Sequence, residues 1–188
     1  AMENLVWGAR DSQGKVTSMK LHLGDPEGQV IATFVYDTSA SPDVQFATLE
    51  GDSPEKIDLV FNGKGGAKAD RPNGASFSAH PNKQRFSRSD EIMLDLGQRS
   101  LRMVNEAKSD WVIEDQDGTK LGQFSGANHG VRHVIVEMEP DAQLTPVEAA
   151  FVAWIARLTL EEKLVSTTWV LTMTLAAMTP FIIWYFFI

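Results

Sequence analysis

The chain has 188 residues, 25 acidic and 17 basic side chains, a formal net charge of −8 and no cysteine. That length suffices for one domain with a sizeable core. The acidic balance excludes a general nucleic-acid binder, which needs excess Lys and Arg to displace counterions. The missing cysteines exclude disulfides, thiolate zinc sites, iron–sulfur clusters and cysteine nucleophiles.

The first residues carry Glu3, Arg10, Asp11 and Lys15 and lack the apolar stretch of a signal peptide. From there to about residue 139, β-branched and aromatic residues alternate with polar ones between turn signals. The pattern predicts strands over 4–9, 16–23, 30–36, 44–49, 56–61, 75–79, 85–89, 92–96, 101–105, 110–114, 120–126 and 131–139. Turns are expected at Gly24-Asp25-Pro26, Ser41-Pro42-Asp43, Asp52-Ser53-Pro54, Asn73-Gly74 and Asp117-Gly118. About twelve short strands so closely spaced predict a mainly β fold, a many-stranded antiparallel barrel or sandwich.

Within this region, residues 62–74 (NGKGGAKADRPNG) are glycine-rich but lack the order of a phosphate-binding loop, so they read as a flexible connection. The stretch is also the start of a basic segment. Lys64, Lys68, Arg71, Lys83, Arg85 and Arg88 stand against one acid, Asp70, and mark a candidate contact for anionic lipid or an acidic partner. A solvated loop that balances nearby acids is the competing reading.

Further along, tests for catalytic chemistry fail. Asp115, Asp117 and Gly118 lie near the spacing of a calcium loop, but its first and twelfth positions would be Ile113 and Phe124, so a hairpin turn is expected. His129 and His133 are four apart beside Gly130 and have no evident third ligand. Ser125 lacks the flanking glycines of a nucleophile elbow. No catalytic, cofactor or metal residue is assigned.

A helix follows the strands, over about 145–159. Thr145 suits the N-cap, Pro146 the first position and Glu148 the third, which completes a capping box. Residues 149–158 (AAFVAWIARL) are apolar on nearly every face, so this short helix must be enclosed. The β-rich unit is thus expected over 1–160, wrapped round this helix, with Phe151, Trp154 and Ile155 buried against strands. Residues 159–163 link it to the tail and are expected to continue the helix.

The tail, 164–188, has no charged side chain. As a helix its 25 residues reach about 37 Å, more than the ~30 Å of a hydrocarbon core. Trp169 stands near one end and Trp184 and Tyr185 near the other, as headgroup-level aromatics do. Pro180 is expected to kink the helix without ending it. Thr168, Thr172, Ala176 and Thr179 fall on one stripe, a candidate packing face for another transmembrane helix.

The stretches WVIEDQDGTKLGQFSG, RHVIVEMEPDAQL and PVEAAFVAWIARL, over about residues 110–160, resemble the closing hairpin, last strand and core helix of the tubby-like superfamily, which includes phospholipid scramblases and LURP-one-related proteins. The resemblance implies a barrel wound round its C-terminal helix and, for function, lipid binding. A membrane span after the helix is similar to the scramblase arrangement, although the Cys-rich segment usual in scramblases is missing.

The expected function is a non-enzymatic, single-span accessory subunit of a larger membrane complex, respiratory or photosynthetic, docked through its C-terminal helix. Its partners would be membrane lipids and other transmembrane subunits, with no nucleic acid and no cofactor. Its β-domain would sit on the cytoplasmic side, or the stromal or matrix equivalent. The alternatives are a tubby- or scramblase-like lipid-binding protein and a membrane-tethered enzyme.

Overall fold

The computed structural model describes residues 1–40, 44–127 and 133–187. The Ser41-Pro42-Asp43 turn and His129 lie outside the described residues. In chain order the strands are β1 (Leu5–Trp7), β2 (Asp11–Gln13), β3 (Val16–Leu23), β4 (Val30–Asp37), β5 (Val44–Leu49), β6 (Glu55–Asn62), β7 (Gly66–Asp70), β8 (Ser76–Pro81), β9 (Glu91–Asp95), β10 (Ser100–Ala107), β11 (Asp110–Asp115), β12 (Lys120–Ser125) and β13 (Ile135–Met138). One long helix, α1 (Pro146–Phe187), follows.

Side-chain alternation sets the wall. In β6, Ile57 and Leu59 are buried while Lys56, Asp58 and Val60 are exposed, the period of two that a one-sided sheet requires. From β3 to β13 each strand pairs antiparallel with the next. β13 returns to β1, which pairs with β3 as well, through Leu5 opposite both Val136 and Leu23. Twelve strands therefore close an antiparallel barrel, and closure removes the open edges of the sheet. β2 lies beyond β1 along the same side of β3, with Asp11 opposite Ser18.

Three local readings are corrected. Residues 85–89 are not a strand; Phe86–Arg88 form a 3₁₀ turn. Phe86 is fully buried and meets Phe61 edge to face at 5.3 Å, so burial of one ring, not alternation, shapes this segment. Five residues of the expected flexible connection are β7, whose Ala67 and Ala69 face the core. Gly66 opens it with φ of +119°, where a Cβ would stand 2.4 Å from the Ala79 carbonyl oxygen, so only glycine fits. β2 is fully exposed and has no apolar pattern to announce it.

The barrel is filled by the first part of α1. Every residue from Ala149 to Leu160 is buried, including Phe151, Trp154 and Ile155. Those twelve residues rise about 18 Å. Eight-residue strands such as β3 and β4 run about 26 Å, or roughly 20 Å along the axis of a barrel with usual strand tilt. Wall and enclosed helix thus match in height. They also match in volume: Ala47 and Ala69 leave room where Phe151 and Trp154 project, with Phe77 at 5.5 Å from the Phe151 ring. The gap left there is about 10 Å³. Trp7 Nε1 donates to the Ala153 carbonyl at 3.1 Å and ties wall to helix.

Candidate functional site

Strand direction sorts the molecule into two ends. Pro146 enters at the end that holds turns 24–29, 50–54, 71–75, 96–99, 116–119 and 139–145. The expected capping box forms there: Thr145 N–H donates to Glu148 Oε1 at 2.9 Å and Glu148 N–H to Thr145 Oγ1 at 3.3 Å. These turns carry Asp25, Glu27, Glu50, Asp52, Asp117, Glu139 and Asp141 against Arg71 and Arg99. Asp117-Gly118 is a hairpin turn, with Gly118 at φ +84° and Thr119 N–H donating to Asp117 Oδ1. Turns at the opposite end, where α1 leaves, carry Lys64, Lys83, Arg85, Arg88 and Lys108 together with Asp90. The acidic surplus is concentrated away from the exit.

The fold divides the six basic residues of the linear segment. Lys64, Lys83, Arg85 and Arg88 come to the exit, with Lys83 Nζ 2.9 Å from Asp90. Lys68 points outward from β7 and pairs with Asp70 at 3.3 Å. Arg71 sits at the far end and grips Glu55 with two hydrogen bonds, of 2.7 and 3.1 Å.

At the exit a polar collar replaces the apolar core. Arg157 is buried, with its guanidinium 4.3 Å from the Trp7 ring centroid and one terminal nitrogen 2.8 Å from Met19 Sδ. Its Nε lies 3.5 Å from Glu161 Oε1 without a hydrogen bond, and Arg10 reaches the same oxygen at 3.0 Å. Burial pushes the Arg157 pKa down, and the Glu161 charge opposes that shift. Cation–π contact with Trp7 and attraction to Glu161 therefore hold a charge that the lumen would otherwise expel. A cavity of about 340 Å³ lies beside it, lined by Arg10, Met19, Phe34, Arg157 and Glu161. Lys163 places its Nζ 5.3 Å from the Trp111 ring centroid. Arg157 is the one charge in an apolar helical run, and that isolation is the signal in the sequence that marks it.

Beyond the collar, α1 continues unbroken through Pro180 to Phe187. Val165, Trp169, Phe181, Trp184 and Tyr185 are all more than half exposed, and the helix is long and apolar enough to cross a membrane. The small stripe is present on one uncovered face. Thr168, Thr172 and Thr179 donate their hydroxyls to the carbonyls four residues back, at 2.8–3.0 Å. Their donors are thus already used, and close approach, not hydrogen bonding outward from those protons, is what the stripe offers. Pro180 has no N–H for the Ala176 carbonyl, which leaves an acceptor on that same face.

Between the exit turns and α1 lies a groove of about 660 Å³, lined by Lys64, Arg85, Glu162, Val165, Trp169 and Val170 among others. Burial, and secondarily Glu161, pushes the Glu162 pKa up. Among the described residues no cluster of three or more His, Asp or Glu is placed to hold a metal. Comparisons with protein-family models, curated proteins and solved structures found no match to the chain.

Proposed function

We propose that the protein is a non-enzymatic, single-span accessory subunit that holds a closed β-barrel at a membrane surface and docks through its C-terminal helix in a larger membrane assembly. The observation that carries this reading is the continuity of α1: the core element of the barrel and the charge-free segment are one helix, with no linker between them. Movement of the span is therefore transmitted directly to the barrel. A flexible tether lets a domain wander, whereas a shared helix fixes its height and tilt, which is what a structural subunit requires. The apolar segment beyond Lys163 would lie in the bilayer, and the stripe at Thr168, Thr172, Ala176 and Thr179 would meet a partner helix closely.

In this reading the barrel lies on the cytoplasmic side, or its stromal or matrix equivalent. Purification of the full chain from its native membranes in mild detergent tests the proposal. Stoichiometric membrane subunits should accompany it, and a chain ending at Lys163 should lose them and leave the membrane fraction. A full chain that purifies alone, or that is soluble without detergent, contradicts the reading.

A further inference from the structure

We infer that the groove beside the helix exit is a binding site for an anionic phospholipid of the bilayer, with the phosphate at Lys64 and Arg85 and the upper acyl segment along Val165, Trp169 and Val170. This rests on the reading that the uncovered part of α1 lies in the membrane. It goes beyond that reading because an anchor as such needs no particular lipid.

Four observations converge on the groove. Its volume, about 660 Å³, is sufficient for a headgroup and the start of a chain. Two cations line it, and neither Lys64 nor Arg85 enters any of the ion pairs among the described residues. The other basic side chains of the linear segment are mostly committed, Lys68 to Asp70, Arg71 to Glu55 and Lys83 to Asp90. The apolar wall is uncovered: Val165, Trp169 and Val170 are 54%, 64% and 66% exposed.

The order of these groups along the helix axis is the fourth observation. Lys64 and Arg85 stand on the exit turns, and the apolar wall begins directly beyond them on α1. A phospholipid has the same order, charge first and hydrocarbon after. A free phosphate would use only the cations and leave the apolar wall wet. An acidic peptide would likewise leave Val165 and Trp169 without an apolar partner. A zwitterionic lipid brings its own cation to Lys64 and Arg85, so net charge selects for an anionic headgroup. Glu162 is the acid in the lining, and with Lys64 and Arg85 opposite it the lining keeps a net positive charge.

The groove contains its own reporter. Trp7, Trp111 and Trp154 are buried in the barrel, so in the Trp184→Phe variant Trp169 is the remaining exposed tryptophan. The full chain carrying Trp184→Phe is placed in phosphatidylcholine nanodiscs with a minor fraction of lipid brominated high on its acyl chains. In one set that fraction is phosphatidylglycerol, in the other phosphatidylcholine, at equal bromine content. The brominated phosphatidylglycerol should quench Trp169 more strongly, through a local enrichment on the order of tenfold, as two cations near an anionic headgroup supply. Replacing both cations, Lys64→Gln with Arg85→Gln, should equalise the two sets. Equal quenching before that replacement, or a preference that survives it, overturns the site. Loss of the preference on adding inorganic phosphate at constant ionic strength assigns the cations to a free anion and overturns it as well. Quenching by neither lipid instead contradicts the membrane reading on which the site rests.

Discussion

The two parts of α1 are both apolar, helical and nearly free of charge, yet they meet opposite surroundings. From Ala149 to Leu160 the helix is enclosed by strands, and from Leu164 onward nearly every side chain is exposed. Apolarity alone does not separate them. What separates them is fit. The enclosed part has the height of the wall and carries large rings where the wall offers alanines, as at Phe151 and Trp154 against Ala47 and Ala69. The uncovered part continues past the wall, beyond Arg157, Glu161, Glu162 and Lys163, and has no strands left to cover it. A soluble core ends where its container ends, and the remaining helix needs a second apolar medium.

Cutting the helix between its parts gives the largest effect expected. A chain ending at Lys163 keeps its whole core and should stay folded, water-soluble and free of detergent, as far-UV circular dichroism and size-exclusion chromatography would report. Unfolding of that fragment would show that the two parts are not separable.

Equal truncations within the two parts should then differ sharply. Phe151→Ala opens a cavity in a matched core and should cost about 3–5 kcal/mol in denaturant unfolding. Phe181→Ala, on the uncovered part, should leave barrel stability within about 0.5 kcal/mol, as changes away from packed features usually do. Similar losses at both positions would erase the distinction.

Adding bulk probes the uncovered part against a partner. Ala176→Leu should weaken co-purification of the host assembly by about 1–3 kcal/mol, the usual cost of overpacking, while insertion persists. Ile183→Leu conserves volume and should change little. Tolerance of bulk at all four stripe positions would make the stripe incidental.

The smallest effect concerns the boundary. Burial raises the Glu162 pKa above its ordinary 4.5, so the folded state holds this proton more firmly than the unfolded state does. Stability contributed by the protonated form should therefore be present below about pH 4.5 and fall as pH rises through the folded-state pKa. Glu162→Gln should remove that slope and leave the rest of the pH profile in place; an unchanged slope would assign it elsewhere.

Much of this architecture was legible in the sequence, and the reasons for the rest are local. Strands rich in Val, Ile and Phe announce themselves by alternation. β7 does not, because Gly66, Ala67 and Ala69 are small to make room inside the barrel and read as a loop. Residues 85–89 alternate like a strand, but Phe86 is drawn inward from a turn. The capping box at Thr145 and Glu148 and the enclosed helix were readable because helix starts and all-round apolarity are sequence-local. The exit was only partly readable. The linear cluster contained Lys64 and Arg85, but antiparallel topology sends Lys68 to the outer wall and Arg71 to the far end. Arg10 and Glu161 meet across a separation of 151 residues that no local pattern spans.

The central claim, that one helix serves two media, is open to direct measurement because the chain has no cysteine of its own. Single replacements Val152→Cys in the enclosed part, Glu162→Cys at the collar, and Val170→Cys, Leu175→Cys and Ile182→Cys beyond it can each be spin-labelled in the full chain in lipid vesicles, with Val152→Cys labelled under mild denaturant and refolded. Relaxation by dissolved oxygen, which concentrates in hydrocarbon, is then compared with relaxation by a water-soluble nickel complex. The account predicts high oxygen and low nickel exposure at 170, 175 and 182, the reverse at 162, and low exposure to both at 152. Nickel exposure at 170, 175 and 182 equal to that at 162 would put the uncovered helix in water and contradict it.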